Sequence, residues 1–204
     1  EGSFYKPKRS HSQPVVTAQE ATTPLTPRLS FYMPTRNDQK RRLEVGLGSL
    51  ALEENVPLAP MTTFRIGGPA DFLVRVRTSD ELERAVSTAR GNQIPWFLLG
   101  HGVNILVADA GFRGLVIRCE LDGIEFLEHD RVRAGAGVSM YPDLINETLI
   151  RGLGGLHHFV GIPSTVGGAL WQNLHFLAPD RQRTFFIEEV LESAEILTEE
   201  GERK

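Results

Sequence analysis

Three glycine-rich turns hold the residues best suited to gripping a charged ligand. They are Phe64-Arg65-Ile66-Gly67-Gly68-Pro69-Ala70, Leu99-Gly100-His101-Gly102-Val103-Asn104-Ile105-Leu106-Val107 and Gly161-Ile162-Pro163-Ser164-Thr165-Val166-Gly167-Gly168-Ala169. Glycine turns the backbone through positive φ and lets a ligand approach bare amides. Successive amides can form a nest for an anion, so turns converging on one place make a cradle. No Gly-Lys-Ser/Thr follows any of them and none has the Rossmann spacing, so neither a Walker loop nor a dinucleotide fingerprint is present. His101 stands inside the second turn, where a protonated imidazole would assist an anion and a neutral one would fill space. Asn104 suits either a bond to the ligand or the bracing of its own turn. Arg65 could neutralise phosphate or join an ordinary ion pair. Ser164 and Thr165 add hydroxyl donors to the third turn.

Other reactive side chains point elsewhere. His157, His158 and His175 lack carboxylates at ligand spacing, and adjacent residues on a strand face opposite ways, so they are expected to be structural. A single cysteine, Cys119, excludes an intrachain disulfide and a cysteine-based zinc site. It follows Val116-Ile117-Arg118 and is expected at a strand end as a buried small hydrophobe.

The elements that must carry these turns follow a strand–helix grammar. Ala70 to Val76 alternates as a strand. Thr78 and Glu81 form a capping box for a helix with Leu82, Ala85, Val86 and Ala89 on one face and Gly91 as its stop. Trp96 to Leu99 is a continuous apolar run, expected to be a strand buried on both sides. It feeds directly into Gly100, the usual place for ligand-binding backbone in an α/β layer. A second lobe begins near Glu120 with a tight turn at Leu121-Asp122-Gly123-Ile124. Arg131 to Ala136 reads as a strand ending at Gly135, Ser139 to Arg151 as a helix with Pro142 in its first turn, and Ile187 to Leu197 as one or two strands.

The chain has 204 residues and a net charge of −4, which gives no reason to expect nucleic acid as a partner. No run is long and apolar enough for a membrane span, and a cytoplasmic protein is expected. Residues 1–48 differ in composition, with Pro7, Pro14, Pro24, Pro27 and Pro34 and the basic clusters Lys6-Pro7-Lys8-Arg9 and Lys40-Arg41-Arg42. Such a segment is expected to be an irregular arm. It is either a solvated tail or a peptide that docks on a protein partner through Phe4, Tyr5, Phe31 and Tyr32.

From about Asn55 to Gly201 the chain resembles the FAD-binding domain of the UDP-N-acetylenolpyruvoylglucosamine reductase (MurB) family, flavoenzymes of peptidoglycan precursor synthesis. Five stretches in family order carry the resemblance: residues 62–71, 99–104, 111–117, 134–138 and 161–168. It implies an α+β fold of two α/β-type lobes, 49–119 and 120–204, with flavin in the crevice between them and the irregular arm, 1–48, ahead. It implies FAD as cofactor, NADPH as hydride donor and UDP-N-acetylmuramate dehydrogenase chemistry. The implied cofactor-binding residues are Arg65, Gly67, Gly68, Leu99, Gly100, His101, Gly102, Val103, Asn104, Ile105, Gly135, Gly161, Ser164, Thr165, Gly167, Gly168 and Asn173.

Three departures qualify the resemblance. The family usually has serine at Val103 and glycine at Ser164, which removes one hydroxyl and adds a hydroxymethyl group. After Asn173 it continues with small residues, where this chain has Leu174-His175-Phe176-Leu177-Ala178-Pro179. The family's substrate domain, with its proton-donating serine and assisting glutamate, would follow the last residues of this chain. The implied role is therefore cofactor binding without the full reaction. The alternative is a non-catalytic accessory subunit that joins a larger assembly through its arm.

Overall fold

A computed structural model describes residues 34–178, 181–198 and 201–204. The docking role considered for the arm falls, over residues 1–33, outside the described residues. The last part of that arm is not irregular. Thr35 caps helix α1 (Arg36–Leu47): its hydroxyl accepts from the Asp38 amide at 3.2 Å, and Asp38 returns the bond by accepting from the Thr35 amide at 3.1 Å. This reciprocal pairing satisfies donors that a helix start leaves open. Leu43 and Leu47, one turn apart, are fully buried, so α1 belongs to the first core and the arm's boundary at 48 moves ahead of Thr35. The proline count ahead of this helix obscured it. Its own composition did too, because only two of its side chains face inward.

Strands β1 (Leu52–Pro57), β2 (Pro69–Val76), β3 (Trp96–Leu99) and β4 (Phe112–Cys119) form one sheet in the order β1-β2-β4-β3. β1 runs antiparallel to β2, while β2 and β3 both run parallel to β4. Helix α2 (Ser79–Gly91) makes the crossover from β2 to β3. Its cap is close to expectation: Thr78 accepts from the Glu81 amide at 3.2 Å, but Glu81 reaches one residue further back, to the Arg77 amide at 2.6 Å. Phe72, Val74, Val76, Leu115 and Ile117 point to α1 and α2. The alternate residues Leu73 and Val116 point the other way, as the two-residue period of a strand requires, and join Leu58 and Leu99, with Ala70 brought to that side by a register shift before Phe72.

The apolar run of β3 does not make it a central strand. It lies at the sheet edge, with Phe97 and Leu98 exposed. Gly91 is still helical at the end of α2, and Gln93 takes the left-handed turn instead, at φ 56°.

The residues beyond β4, expected as a second lobe, form mostly shorter elements. β5 (Ile124–Leu127) and β6 (Arg131–Ala134) form a hairpin. Ser139 to Arg151 is not one helix: Tyr141 is extended, Met140–Leu144 makes a wide turn, and α3 covers only Ile145–Ile150. Pro142 breaks the first turn rather than fitting it. Leu144, Ile145 and Thr148 are buried as expected, whereas Leu149 is exposed. α4 (Val166–Trp171) is followed by a hairpin of β7 (His175–Leu177) and β8 (Thr184–Phe186). Instead of strands, Ile187–Val190 is a turn of 3-10 helix, and Leu197 makes an isolated bridge to Arg203. Val138, Met140, Leu144, Ile145, Phe159, Ala169 and Ile187 form this lobe's core.

Candidate functional site

The parallel register sets Leu99 beside Arg118, so β3 and β4 end together and the chain leaves β3 into the 100–107 loop. Gly102 has φ 66°, and a Cβ there would sit 2.1 Å from the Met61 carbonyl oxygen. Only glycine fits this position. The Gly102 carbonyl accepts from the Thr63 amide at 3.0 Å, which ties the loop to the turn before β2. Asn104 donates to the Gln172 side-chain oxygen at 3.0 Å, joining the loop to the residue after α4. Gly100 lies so close to Thr165 that a Cβ would fall 2.9 Å from its hydroxyl. The second and third glycine turns therefore meet, one from each lobe.

Their backbones differ in what they leave free. Among the described residues, the amides of His101, Gly102, Val103 and Asn104 have no hydrogen-bond acceptor. In the third turn the amides from Val166 to Ala169 are all engaged. Val166 donates to Val138, Gly167 to Ala136, Gly168 to the Thr165 hydroxyl and Ala169 to the Thr165 carbonyl, at 2.8–3.1 Å. Ser164 is buried and its hydroxyl donates to the Thr165 carbonyl at 3.0 Å, so the extra hydroxymethyl group is accommodated. The third turn braces the lobe boundary, and the second presents donors.

Gly67 and Gly68 lie at the far end of the loop. Cβ atoms there would meet Val107 and, at 2.0 Å, the Asp109 carbonyl oxygen, so these glycines permit chain-to-chain contact. Arg65 is exposed and has no ion pair among the described residues. Gly135 packs on the Leu121 and Asp122 carbonyls and donates to Gly123 at 3.0 Å. Gly161 has open space around it. Leu99 and Ile105 line a small apolar cavity of about 160 Å³ behind the loop, and Val103 is half-buried.

A larger cavity of about 780 Å³ opens beside the loop. Of the implied cofactor-binding residues, only His101 lines it. The rest of its wall comes from the second lobe, including Asp122, Gly137, Ser139, Asp143 and Asn146. Asn173 has φ 45° and donates to Glu188 at 2.7 Å, while its own Oδ1 is buried without a partner. A buried acceptor left open is uncommon and marks a place where a donor fits.

Electrostatics add a residue that the glycine pattern did not reveal. Arg118 is half-buried, donates to the Gly100 carbonyl, and has its pKa lowered, chiefly by burial. It also helps lower the His101 pKa, behind burial of that ring and against the opposing pull of Asp143. The signal was a charge that follows the apolar run Leu115–Ile117 near the end of β4. Burial also raises the Cys119 thiol, consistent with a structural cysteine. His157 and His158 sit on a 3-10 turn with their rings tilted against each other, and His158 stacks on Phe185. No group of three metal-binding side chains occurs among the described residues, and no described helix is long and apolar enough to cross a membrane.

Comparison with known families decides the assignment, because the FAD binding domain model matches residues 70–204. The chain belongs to the FAD-binding domain family. FAD is thus its cofactor, and its α+β architecture and glycine loops are those of a MurB-like FAD-binding domain. The UDP-N-acetylenolpyruvoylglucosamine reductase of Clostridium botulinum (strain Hall) is 36% identical over 157 residues, covering 77% of this chain and 48% of that protein. The reductase of Moorella thermoacetica is 43% identical over 131 residues, covering 64% and 43%. The crystal structure of the Thermus caldophilus reductase (MurB) is 37% identical over 59% of this chain and 41% of its own, with a TM-score of 0.47. The FAD-binding domain described here spans about half the length of the curated relatives it matches.

Proposed function

We propose that this chain is the flavin-holding part of a cytoplasmic UDP-N-acetylenolpyruvoylglucosamine reductase, with residues 34–119 and 120–204 as its two lobes. The observation that carries the reading is the row of four unengaged amides at His101–Asn104 beside the half-buried Arg118 guanidinium. Free amides and one cation suit a diphosphate, which needs several donors and gains little from a fully desolvated lysine.

In this reading the amides of His101, Gly102, Val103 and Asn104 hold the FAD diphosphate, and the open Asn173 Oδ1 accepts from a ligand donor. Leu99 and Ile105 back the loop. Thr165, Gly167 and Gly168, with Ser164, fix the lobe boundary against which Gly100 packs. Gly67, Gly68, Gly135 and Gly161 shape the turns around them, and Arg65 adds charge at the rim. Val103 supplies only its amide where the family's serine would add a hydroxyl.

When bound, FAD supplies hydride transfer from NADPH to the enolpyruvyl double bond of UDP-N-acetylglucosamine enolpyruvate. This chain's own residues bind and orient, and the donor of the final proton belongs to the family's substrate domain. In this reading these residues hold FAD and allow its reduction by NADPH. Nothing among the described residues favours the accessory-subunit alternative.

The test is an absorbance spectrum of the purified protein, followed by titration with FAD and anaerobic addition of NADPH. Flavin bands near one per chain, bleached by NADPH, are expected. A colourless protein that ignores added FAD would overturn the proposal.

A further inference from the structure

We infer that Arg118 is both a positioning residue for the 100–104 loop and the fixed positive charge that selects a diphosphate there. The inference rests on the FAD reading above and extends it to a residue outside the glycine turns.

The guanidinium donates to the Gly100 carbonyl oxygen. That bond turns the first carbonyl of the loop toward β4, and the four amides that follow are left without protein acceptors. A carbonyl free to swing toward the ligand would present negative charge to an anion. Arg118 therefore sets the polarity of the loop as well as its position.

Arg75 and Arg118 are register partners on β2 and β4, so two guanidinia stand side by side at one end of the sheet. Arg75 pairs with Glu53 at 3.1 Å and Glu120 at 2.7 Å, and Arg77 shares Glu120 at 2.9 Å. Both carboxylates are thus engaged by Arg75 and Arg77, and Glu120 reaches Arg118 only as a longer-range attraction. Among the described residues Arg118 has no carboxylate within ion-pair distance. A half-buried guanidinium stays protonated even so, and a charge held out of water calls for a counter-charge. One of its five N–H donors is used on Gly100, and the others remain for phosphate oxygens in the fork geometry that guanidinium offers. His101 cannot substitute at neutral pH, because burial and Arg118 itself favour its uncharged form.

Two variants separate the charge from the strut. Arg118→Gln keeps an N–H donor for the Gly100 carbonyl and removes the charge. Arg118→Lys keeps the charge and loses the fork. FAD dissociation constants would be measured by flavin fluorescence at low and high ionic strength, with thermal melts as the check on folding. Wild-type affinity should weaken with salt. Arg118→Gln should bind FAD roughly 10–100-fold more weakly, the loss expected for a charged hydrogen bond, and should be less sensitive to salt. Arg118→Lys should recover part of the affinity and the wild-type salt response.

Wild-type affinity in Arg118→Gln, or weaker binding with an unchanged salt response in that variant, would overturn the inference. If Arg118→Gln does not fold, Arg118→Lys decides: wild-type affinity with no loss at all would refute the role of the fork. A wild-type chain that binds no FAD would instead overturn the parent reading, a result distinct from either variant's.

Discussion

Two glycine-to-alanine substitutions should have opposite signs, and the structure says why. At Gly102 the backbone is left-handed at φ 66°, which costs a non-glycine residue about 1–2 kcal/mol. The added methyl would lie 2.1 Å from the Met61 carbonyl oxygen and 3.0 Å from the Thr62 Cα. Both are backbone atoms, so the loop or the 61–63 segment must move by more than an ångström. Overpacking of this kind adds roughly 1–3 kcal/mol, for a total near 2–5 kcal/mol. At Gly91 the backbone is helical and nothing lies within 4 Å of the added carbon. Alanine there should stabilise by up to about 1 kcal/mol through helix propensity. Urea unfolding followed by circular dichroism reads both. With a urea slope of about 1–3 kcal/mol per molar, Gly102→Ala should lower the midpoint by on the order of 1–2 M and Gly91→Ala should raise it slightly. Coincident curves for the two variants would refute the reasoning, because they would mean that neither φ nor close approach governs these sites. Gly102→Ala should also lose FAD affinity while Gly91→Ala keeps it.

Leu47→Ala, in the fully buried last turn of α1, should destabilise the fold by roughly 2–5 kcal/mol in the same unfolding assay; an unchanged midpoint would mean that α1 is not part of the first core. The His101 pKa lies below that of a free imidazole, so the unfolded chain takes up a proton that the folded one resists. Stability from this site is therefore intact above the unfolded pKa of about 6.5 and falls as pH drops below it. His101→Gln should flatten that limb of a stability–pH profile, and an identical acid limb would exclude His101 as its source. The buried Cys119 thiol should react slowly with an aromatic disulfide until urea unfolds the chain, and rapid native labelling would contradict its placement at the covered end of β4.

The motifs with strong local chemistry were legible in the sequence. β2 begins one residue before the expected Ala70 and ends at Val76 as expected, the Thr78 cap starts α2, and the Gly100 loop follows an apolar strand. What depended on neighbours was not. An apolar run such as Trp96–Leu99 cannot reveal whether a further strand lies beside it, and here none of the described strands does. Helix α1 was hidden because its capping pair Thr35–Asp38 sits at the end of a proline-rich stretch. The length of α3 was overestimated because helical spacing continued through Pro142, which breaks the turn. At the site, glycine spacing located three turns but not which of them kept free amides. That distinction comes from the pairing of Val166 and Gly167 with Val138 and Ala136, contacts distant in sequence. Arg118 escaped notice because its importance lies in the counter-ion it lacks.

The edge strand β3 bears on solubility. A strand with one open edge and exposed Phe97 and Leu98 is a template on which another molecule could add a strand. Pro95 immediately precedes it and Gly100 immediately follows, so the edge is only four residues long. Proline cannot donate to a growing ladder, and the bend at Gly100 carries the chain away from the sheet. The glycine that opens the ligand loop thus also cuts the edge short, and the same turn serves recognition and protection against aggregation.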